Sequence, residues 1–327
     1  MRTATFVGGA GIALLLSLPA SAVELKLAHS HQDSMESEIH VASWLFQKYA
    51  QDFGTNFSVT IHPNNQLGQE REVYEAMQLG SGADCIISGT AILGNFEKKI
   101  GVLDLPFLWK DYDHVHRVLD GEVGTELATE LREGGFEVIA WLDSWGYRNV
   151  ATTSKAVNTA EDLHGLKIRT IPTDTYVKAL NAMGANATPM AFGEIYTAME
   201  TGVLDGLEHN ASIILANKFN EVAHNYALTR HLFGPLAFVC SSTFVSSLSE
   251  ADRATLDKAA RFARDAQRAL APLREGEALA ALAAAGVNVT TVDTAPFQAA
   301  ANGVQDELAK SFDATATLEK IRAAAAN

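Results

Sequence analysis

Basic residues are scarce in this sequence. It has 25 lysines and arginines against 39 aspartates and glutamates, which gives a formal net charge of −14 over 327 residues. Nucleic-acid binding depends on clustered lysine and arginine side chains that contact phosphates, so this composition argues against a nucleic-acid partner. An acidic chain also repels small anions at long range. An anion-binding site would have to supply its own cations, which makes individual arginines informative.

Long apolar runs are absent apart from one N-terminal segment. Residues 6–18 are almost entirely apolar or small, Arg2 precedes them, and residues 20–22 form an A-x-A cleavage site. This pattern predicts a secretory signal peptide over residues 1–22, with the mature chain beginning at Val23. An uncleaved membrane anchor is the alternative, but the run is shorter than the roughly 20 residues that span a bilayer. We therefore expect an exported mature chain without a membrane span.

Cysteine is nearly absent, since only Cys85 and Cys240 occur and they do not form a C-x-x-C pair. Both fall in short apolar segments that we predict to be buried strands, where free cysteines pack as small apolar side chains. An oxidising export compartment would also permit a disulfide between them if the two strands were neighbours. The sequence leaves both possibilities open.

Motifs of common enzyme and metal classes are also missing. No G-x-S-x-G, G-x-G-x-x-G or G-x-x-x-x-G-K-[ST] segment occurs, which favours a binding protein, without a cofactor, over an enzyme. Two H-x-H pairs are present, at His29 and His31 and at His114 and His116. Metal sites need three or four convergent ligands with supporting contacts, so we predict no metal site. An exported hydrolase and a zinc-binding receptor remain the alternatives.

Strand and helix patterns alternate along the chain. The first five segments are a strand, a helix, a strand, a helix and a short buried strand, at residues 24–29, 37–53, 57–62, 69–79 and 84–88. This βαβαβ order is typical of a parallel sheet covered by helices. The pattern starts again at Arg148, and no linker or internal repeat separates the two halves. We predict an α/β fold of two units between which the chain crosses more than once.

Three further predictions concern helices. Ser249 begins a long helix through a sequence that resembles a capping box, and Pro272 is expected to end or kink that helix. Residues 192–201 have the apolar spacing of one helix. Pro106 is expected to keep residues 101–109 from being helical.

Two arginines lie at positions that favour ligand binding. Arg169 ends a predicted strand, and ligands of open α/β sheets bind at that edge. A guanidinium there can hold a carboxylate through two parallel hydrogen bonds. Arg148 begins the second unit and follows two aromatic residues and a glycine, a composition that suits the wall of a cleft. The alternatives are a solvated surface arginine and core aromatic residues.

Polar residues at other segment ends are weaker candidates. His209 and Asn210 end a short predicted strand, where they can donate to a carboxylate or to hydroxyl groups. The alternative is a turn, which asparagine favours. Glu70 lies near a helix start, where it either complements the helix dipole or accepts hydrogen bonds from ligand hydroxyls.

Several segments occur together, in order, as they do in one known family. They are LKLAH, QLGQEREV, GVLDLPFLW, GLKIR and FGEIYTAMETGVLDGLEHN, at residues 25–29, 66–73, 101–109, 165–169 and 192–210. In combination they resemble the solute receptors of tripartite ATP-independent periplasmic (TRAP) transporters, the DctP family. The likeness extends from about residue 25 to about residue 260.

The resemblance implies a periplasmic binding protein fold. Two α/β lobes would surround a ligand cleft, joined by cross-domain strands and by a long helix that spans both. The first lobe would contain residues 23–146 and 235–273. The second lobe would contain residues 147–234 and 274–327.

The resemblance also implies roles for four side chains. Arg169 matches the arginine that binds the ligand carboxylate, and Arg148 matches a second common arginine. Phe192 matches an aromatic residue that flanks the ligand. Glu70 matches an acidic position that meets polar groups of the ligand.

Four more residues complete the predicted site. His209 replaces an asparagine that contacts the ligand in many members, and the proline that usually follows is absent here, where Asn210 stands. Trp145 replaces a smaller polar residue of many relatives and would shape the pocket. We add His31, which closely follows the first strand, to the candidate ligand-binding residues.

The implied function is a periplasmic receptor that binds a small organic acid and delivers it to a membrane permease. The two arginines and the polar residues favour a sugar acid such as a uronate or aldonate. A C4-dicarboxylate is the alternative, and an aromatic carboxylate is possible because of Trp145 and Phe192. The departure at His209 leaves the identity of the ligand open.

Overall fold

The computed structural model describes residues 22–52 and 56–326. Residues 1–21, which include nearly all of the predicted signal peptide, lie outside the described residues. The strands in this part of the chain are β1 (Val23–Ala28), β2 (Phe57–His62), β3 (Cys85–Gly89), β4 (Phe136–Leu142), β5 (Arg148–Thr152), β6 (Lys167–Thr170), β7 (Asn186–Pro189), β8 (Gly206–His209), β9 (Asn225–Leu232), β10 (Leu236–Ser241) and β11 (Asn288–Thr290).

Helices connect and cover these strands. They are α1 (Glu38–Asp52), α2 (Glu70–Gln78), α3 (Thr90–Leu93), α4 (Tyr112–Leu119), α5 (Glu122–Glu133), α6 (Asp174–Ala182), α7 (Ile195–Glu200), α8 (Ala211–Ala216), α9 (Ser242–Ser247), α10 (Glu250–Ala284), α11 (Ala295–Ala300), α12 (Val304–Ser311) and α13 (Thr315–Ala324). Short 3₁₀ helices cover Lys98–Asp104, Ala160–Leu163, Phe192–Glu194 and Phe219–Glu221. None of the described helices is both long and apolar enough to cross a membrane.

The strands form two sheets. The first has the order β2-β1-β3-β10-β4 and the second has the order β11-β9-β5-β8-β6-β7. In the first sheet β1 is parallel to β2 and β3, which confirms the predicted βαβαβ unit. In the second sheet β6 is parallel to β7 and β8. Strand β10 lies antiparallel between β3 and β4, and β5 lies antiparallel between β8 and β9.

Both faces of the first sheet are covered by apolar side chains. On β3, Ile86 packs into one apolar cluster and Ile87 into another. On β10, Val239 and Phe238 divide between the same two clusters. Successive side chains of a strand point to opposite faces, so a strand buried on both faces has a continuous apolar sequence. This explains why β3 and β10 are short, unbroken apolar runs.

The chain crosses three times between the two sheets in the described residues: from β4 to β5, from β9 back to β10, and from β10 through α10 to β11. We call the first sheet with α1–α5 and α9 the first lobe, and the second sheet with α6–α8 and α11 the second lobe. Helix α10 packs against α1 and β4 of the first lobe and against α8 and β11 of the second. The two lobes with their spanning helix agree with the predicted fold class.

Helix α10 begins as predicted, because the Ser249 side chain accepts a hydrogen bond from the backbone N–H of Asp252. It does not end at Pro272, which lies inside the helix and is exposed. A proline removes one backbone hydrogen bond, at about 3 kcal/mol or more in a helix interior. Ala271 and Ala278 on either side of it are buried, and α10 packs against both lobes.

The last two helices differ from the lobe boundaries expected above. Leu308 of α12 and Leu318 and Ile321 of α13 belong to the same apolar cluster as Leu119 and Leu127 of the first lobe. Helix α13 packs against α4 and α5. Residues 304–324 therefore share the apolar core of the first lobe, although the sequence-based boundary placed them in the second, and α12 also contacts α6 of the second lobe. The order of the elements along the chain does not reveal this contact.

Local differences from the predictions are small. Residues 192–201 form a 3₁₀ turn, Phe192–Glu194, followed by α7, instead of one helix. A 3₁₀ helix, Lys98–Asp104, precedes Pro106 where no helix was expected. Helix α8 was missed because it is only six residues long.

Cys85 and Cys240 form a disulfide. They lie directly opposite each other in the β3–β10 pair, whose register aligns the two residues. The possibility of two free buried thiols is therefore not realised. The bond closes a loop between positions 155 residues apart, so it links the last strand to enter the first sheet to one of the earliest.

Candidate ligand-binding site between the lobes

The candidate site lies where edges of the two sheets meet. It is bordered by residues near the ends of β1, β3, β6 and β8 and near the starts of β5 and β10. Because β5 runs antiparallel to β8, its first residues lie beside the last residues of β8, and Asn149 pairs with His209. The carboxyl edge of parallel strands is where open α/β sheets bind ligands.

These residues enclose a cavity of about 40 Å³, measured as the volume that the centre of a water-sized sphere can occupy. A single water molecule needs roughly 10–15 Å³ by this measure, so a sugar-sized ligand would need a larger cavity than this one. The lining residues come from both lobes and from the segments that cross between them: Ser30, His31, Glu38, Ile39, Glu70, Gly89, Ala91, Ile92, Ser144, Arg148, Arg169, Ile171, Tyr176, Phe192, His209, Gly234 and Leu236.

Arg148 is balanced by a carboxylate of its own lobe. Its Nε donates to Glu208 Oε2, and its Nη2 donates to Glu208 Oε1 at 2.8 Å and to the Glu208 carbonyl at 2.9 Å. Burial lowers the pKa of Arg148, but the Glu208 carboxylate more than offsets this and raises the pKa above its usual range. Burial would raise the pKa of Glu208, yet Arg148 and His231 hold it below its usual value. Arg148 therefore brings little uncompensated charge to the cavity.

Arg169 has no such partner. Its Nε and Nη2 donate to the Met190 carbonyl at 2.9 and 2.6 Å, and its Nη1 is buried with no hydrogen-bond partner among the described residues. No carboxylate in that part of the chain lies within 4.0 Å of its nitrogens. Burial lowers the pKa of Arg169 to about 10, although Glu208 and Glu70 act in the opposite direction. The guanidinium keeps its charge at neutral pH, and one of its donors remains unused.

Phe192 forms an aromatic wall of the cavity. The centroid of its ring lies 5.0 Å from that of His31 and 5.9 Å from that of His209. The Cζ atom of Arg169 lies 5.9 Å from the Phe192 ring centroid, within reach of a cation–π contact. Phe192 and His31, which belong to opposite lobes, therefore pack against each other beside the arginine.

His209 is a neutral hydrogen-bond donor. Burial, with Arg148 next, lowers the pKa of His209 well below its usual value. The backbone N–H of Asn210 donates to His209 Nδ1 at 3.0 Å, so the single ring proton belongs on Nε2. That nitrogen lies 3.3 Å from Arg148 Nη1, which can only donate. Two donors therefore face each other at the cavity wall, an arrangement suited to an oxygen that accepts from both.

Glu70 is the first residue of α2 and borders the cavity from the first lobe. Burial raises the pKa of Glu70, whereas Arg169 and a hydrogen bond with Ser30 act in the opposite direction. This position is compatible with either predicted alternative, an interaction with the helix dipole or a contact with a ligand.

Glu38 was missed by the sequence analysis. It begins α1, is buried, and lines the cavity. Its Oε1 accepts a hydrogen bond from Asn210 Nδ2 at 2.8 Å, and its Oε2 is buried without a partner among the described residues. Burial raises the pKa of Glu38 to about 7. An acidic residue at a helix start is common on protein surfaces, so the sequence carried no signal that this one is buried.

Asn210, predicted to contact the ligand, lies outside the cavity lining. Its Oδ1 accepts from the backbone N–H of Ile213 and thereby caps α8. Its Nδ2 donates to Glu38 Oε1 and to Ser144 Oγ, both at 2.8 Å. Both ends of the amide are used, and the side chain joins the second lobe to the first.

Trp145 also lies outside the lining, although we expected it to shape the pocket. It is fully buried and packs with Val41 and Ala271 beneath α10. Its indole N–H donates to the Gln267 carbonyl at 3.2 Å. The tryptophan therefore anchors the crossing segment to α10.

Histidines of the two H-x-H pairs form hydrogen bonds with other groups of the protein. His29 Nε2 lies 3.2 Å from His40 Nδ1, His114 Nε2 lies 2.8 Å from the Ile321 carbonyl, and His116 Nε2 lies 2.8 Å from Asp143. Within residues 22–52 and 56–326, no group of three or more histidine, cysteine, aspartate or glutamate side chains is arranged to hold a metal ion.

Comparison with known proteins agrees with this architecture. Residues 29–311 match the family model of bacterial extracellular solute-binding proteins, family 7 (DctP). A solute-binding protein of Verminephrobacter eiseniae is 36% identical over 272 residues, which cover 83% of this chain and 80% of that one.

Solved structures are similar over nearly the whole chain. A TRAP periplasmic solute-binding protein from Chromohalobacter salexigens, with bound D-glucuronate, has a TM-score of 0.86 and 31% identity, covering 92% of this chain and 99% of that chain. One from Bordetella bronchispeptica, with density interpreted as pantoate, has a TM-score of 0.86 and 32% identity, covering 91% and 98%. This chain therefore belongs to the DctP family, and it is a solute-binding receptor of the TRAP transporter type.

Proposed function

We propose that this chain binds a hydroxylated monocarboxylate, such as a uronate or an aldonate, and delivers it to the membrane permease of a TRAP transporter. The observation that carries the proposal is the state of Arg169. Its buried guanidinium keeps its charge, and its Nη1 has no acceptor among the described residues. A ligand carboxylate would supply both the missing acceptor and the missing negative charge.

The charges around the cavity favour one carboxylate over two. Arg148 is already paired with Glu208, which leaves Arg169 as the unpaired cation of the described lining. A C4-dicarboxylate would bring its second carboxylate near Glu38 and Glu70, and the ionised forms of these side chains repel it. We therefore rank a dicarboxylate below a monocarboxylate.

Hydroxyl groups suit the remainder of the lining. The first lobe contributes the oxygen atoms of Ser30, Glu38 and Glu70 to the cavity wall, and His209 contributes a donor from the second. D-Glucuronate and pantoate, named for the two related structures, are carboxylates that also carry hydroxyl groups. With Trp145 outside the lining, an aromatic carboxylate has less support.

Closure of the lobes would couple binding to transport. Side chains of both lobes line the cavity, so a ligand that contacts both binds the closed form better and shifts the population toward it. The closed receptor would present a surface made of both lobes to the permease. We propose that the protein acts in the periplasm after removal of its signal peptide, and that it releases its ligand unchanged.

A ligand panel tests the proposal. D-Gluconate, D-glucuronate, succinate and D-glucose are compared by thermal shift and then by calorimetry. A ligand at a hundredfold excess over its Kd adds about 2.7 kcal/mol to the free energy of unfolding. We expect the two sugar acids to raise the melting temperature more than succinate, and glucose to leave it unchanged. A shift with glucose alone, or with succinate above both sugar acids, would contradict the proposal, as would chemical conversion of the ligand seen by NMR.

A further inference from the structure

The two carboxylate oxygens of Glu38 have different surroundings. One oxygen, Oε1, accepts from Asn210 Nδ2 across the junction of the lobes. The other, Oε2, is buried against the cavity with no donor among the described residues. A buried carboxylate oxygen without a donor costs more free energy than one with a donor. The carboxylate is thus half satisfied by the protein.

We infer that Glu38 is a specificity-determining residue, whose Oε2 accepts a hydrogen bond from one hydroxyl group of the ligand. The inference rests on the proposed function, because it requires a ligand that carries hydroxyl groups beside its carboxylate. Arg169 alone would accept any small carboxylate of suitable size. Glu38 adds a requirement that only a hydroxylated one meets, since an unpaired carboxylate oxygen disfavours closure on a molecule without that donor.

Asn210 connects this recognition to the movement of the lobes. Its Nδ2 reaches Glu38 of the first lobe while its Oδ1 caps α8 of the second. The carboxylate that would contact the hydroxyl is thus the same one that joins the lobes. Recognition of the hydroxyl and closure therefore act on one group.

Asp104 provides a matched comparison. It is also a buried carboxylate at the junction of the lobes, and burial raises its pKa to about 7. Its Oδ2 accepts from Thr90 Oγ1 at 2.8 Å and its Oδ1 accepts from Tyr176 O–H at 3.1 Å. Both oxygens are satisfied by the protein, and Asp104 does not line the cavity. We expect Asp104 to stabilise the closed form without contacting the ligand.

The test measures Kd by calorimetry for D-gluconate and for its 2-deoxy, 3-deoxy and 4-deoxy derivatives. In Glu38→Gln, Asn210 still donates to the amide oxygen, so an NH₂ donor replaces the acceptor Oε2. We expect this variant to weaken D-gluconate by about tenfold or more. For one of the deoxy derivatives, the variant and the unchanged protein should agree within about twofold, because the hydroxyl that Glu38 reads is gone. Asp104→Asn should weaken all four ligands by one common factor.

Two results would overturn the inference: a common factor for all four ligands in Glu38→Gln, or no loss with any of them. If Glu38→Gln does not fold, Glu38→Asp replaces it, since withdrawal of the carboxylate by one methylene should give the same selective pattern. Arg169→Met separates this inference from the proposed function, because it should weaken every ligand of the series. Failure of the unchanged protein to bind any of the four would overturn the proposed function and the role of Glu38 together.

Discussion

The two walls of the cavity differ in the sign of their charge. The first lobe contributes the carboxylates Glu38 and Glu70, whereas the second contributes the guanidiniums of Arg148 and Arg169. Among the described residues, the second wall contains its own counter-ion, Glu208, which neutralises Arg148 but not Arg169. A carboxylate is therefore attracted to one wall, and hydrogen-bond donors such as hydroxyls are attracted to the other. A molecule with both kinds of group favours the closed lobes more than a molecule with either kind alone.

The two sheets beneath these walls also differ in their covalent cross-links. The largest predicted effect is the loss of stability when the cross-link of the first sheet is removed. The first sheet is cross-linked by Cys85 and Cys240, and the sequence has no other cysteine for the second. Replacing both by serine should lower the free energy of unfolding by about 2–5 kcal/mol. Hydrogen exchange should show weaker protection in β3 and β10 than in β6 and β8. Equal loss of protection in both sheets would mean that the disulfide stabilises the lobes as one unit.

Removing the unpaired cation should abolish most of the attraction of the second wall. Arg169→Met leaves a ligand carboxylate without its partner in a closed cavity, at about 2–5 kcal/mol. The Kd for D-gluconate should rise at least tenfold for each 1.4 kcal/mol. Arg71→Met is the control, because it removes an equal charge from an exposed arginine of α2 that pairs with Glu75. Similar losses in both variants would show that overall charge, and not the buried guanidinium, attracts the ligand.

The pH dependence of stability tests the first wall, because that wall contains Glu38. Burial raises the pKa of Glu38 from its usual 4.5 to about 7, so the folded protein holds this proton more tightly than the unfolded chain does. The stability from this proton is fully present below pH 4.5 and is lost as pH rises through 7. One pKa unit corresponds to about 1.36 kcal/mol, so the shift from 4.5 to about 7 lowers the free energy of unfolding by about 3 kcal/mol above pH 7.

Glu38→Gln removes this dependence. Chemical denaturation between pH 5 and 8 should show the free energy of unfolding of the unchanged protein falling relative to that of the variant. Asp104, whose pKa is also raised, is present in both proteins and cancels. Glu75→Gln removes one exposed carboxylate outside the cavity and is the control for the loss of a single charge. Parallel curves for the unchanged protein and Glu38→Gln would contradict the raised pKa of Glu38.

The second wall could be predicted from the sequence more fully than the first. Arg169 sits at the end of a strand whose local pattern is clear, and the general rule for sheet edges then places it at the site. Glu38 depends on Asn210, which lies 172 residues away in the other lobe. No local pattern reports that contact, and an acid at a helix start has a sufficient local explanation.

Long-range contacts also explain the other differences. The Cys85–Cys240 pair requires β10 to insert antiparallel beside β3, and this return of the chain leaves no local trace. Trp145 lies at a crossing segment as predicted, but its neighbour is α10, more than 100 residues later, so its direction could not be inferred. Elements with strong local signals, such as β2 and the start of α10, have the predicted bounds.

The smallest expected effect concerns a second hydrogen bond between the lobes, in addition to that between Asn210 and Glu38. Tyr176 of the second lobe donates to Asp104 of the first, and its ring lies under the Arg148 guanidinium with 5.3 Å between Cζ and the ring centroid. Tyr176→Phe keeps the ring and removes the hydrogen bond, which should destabilise closure by about 1 kcal/mol. The Kd values of D-gluconate and its deoxy derivatives should all rise about fivefold, and fluorescence energy transfer between dyes on the two lobes should show a smaller closed fraction. A selective effect on one derivative would instead indicate that the tyrosine hydroxyl contacts the ligand. The second wall would then bind a ligand hydroxyl as well as the carboxylate.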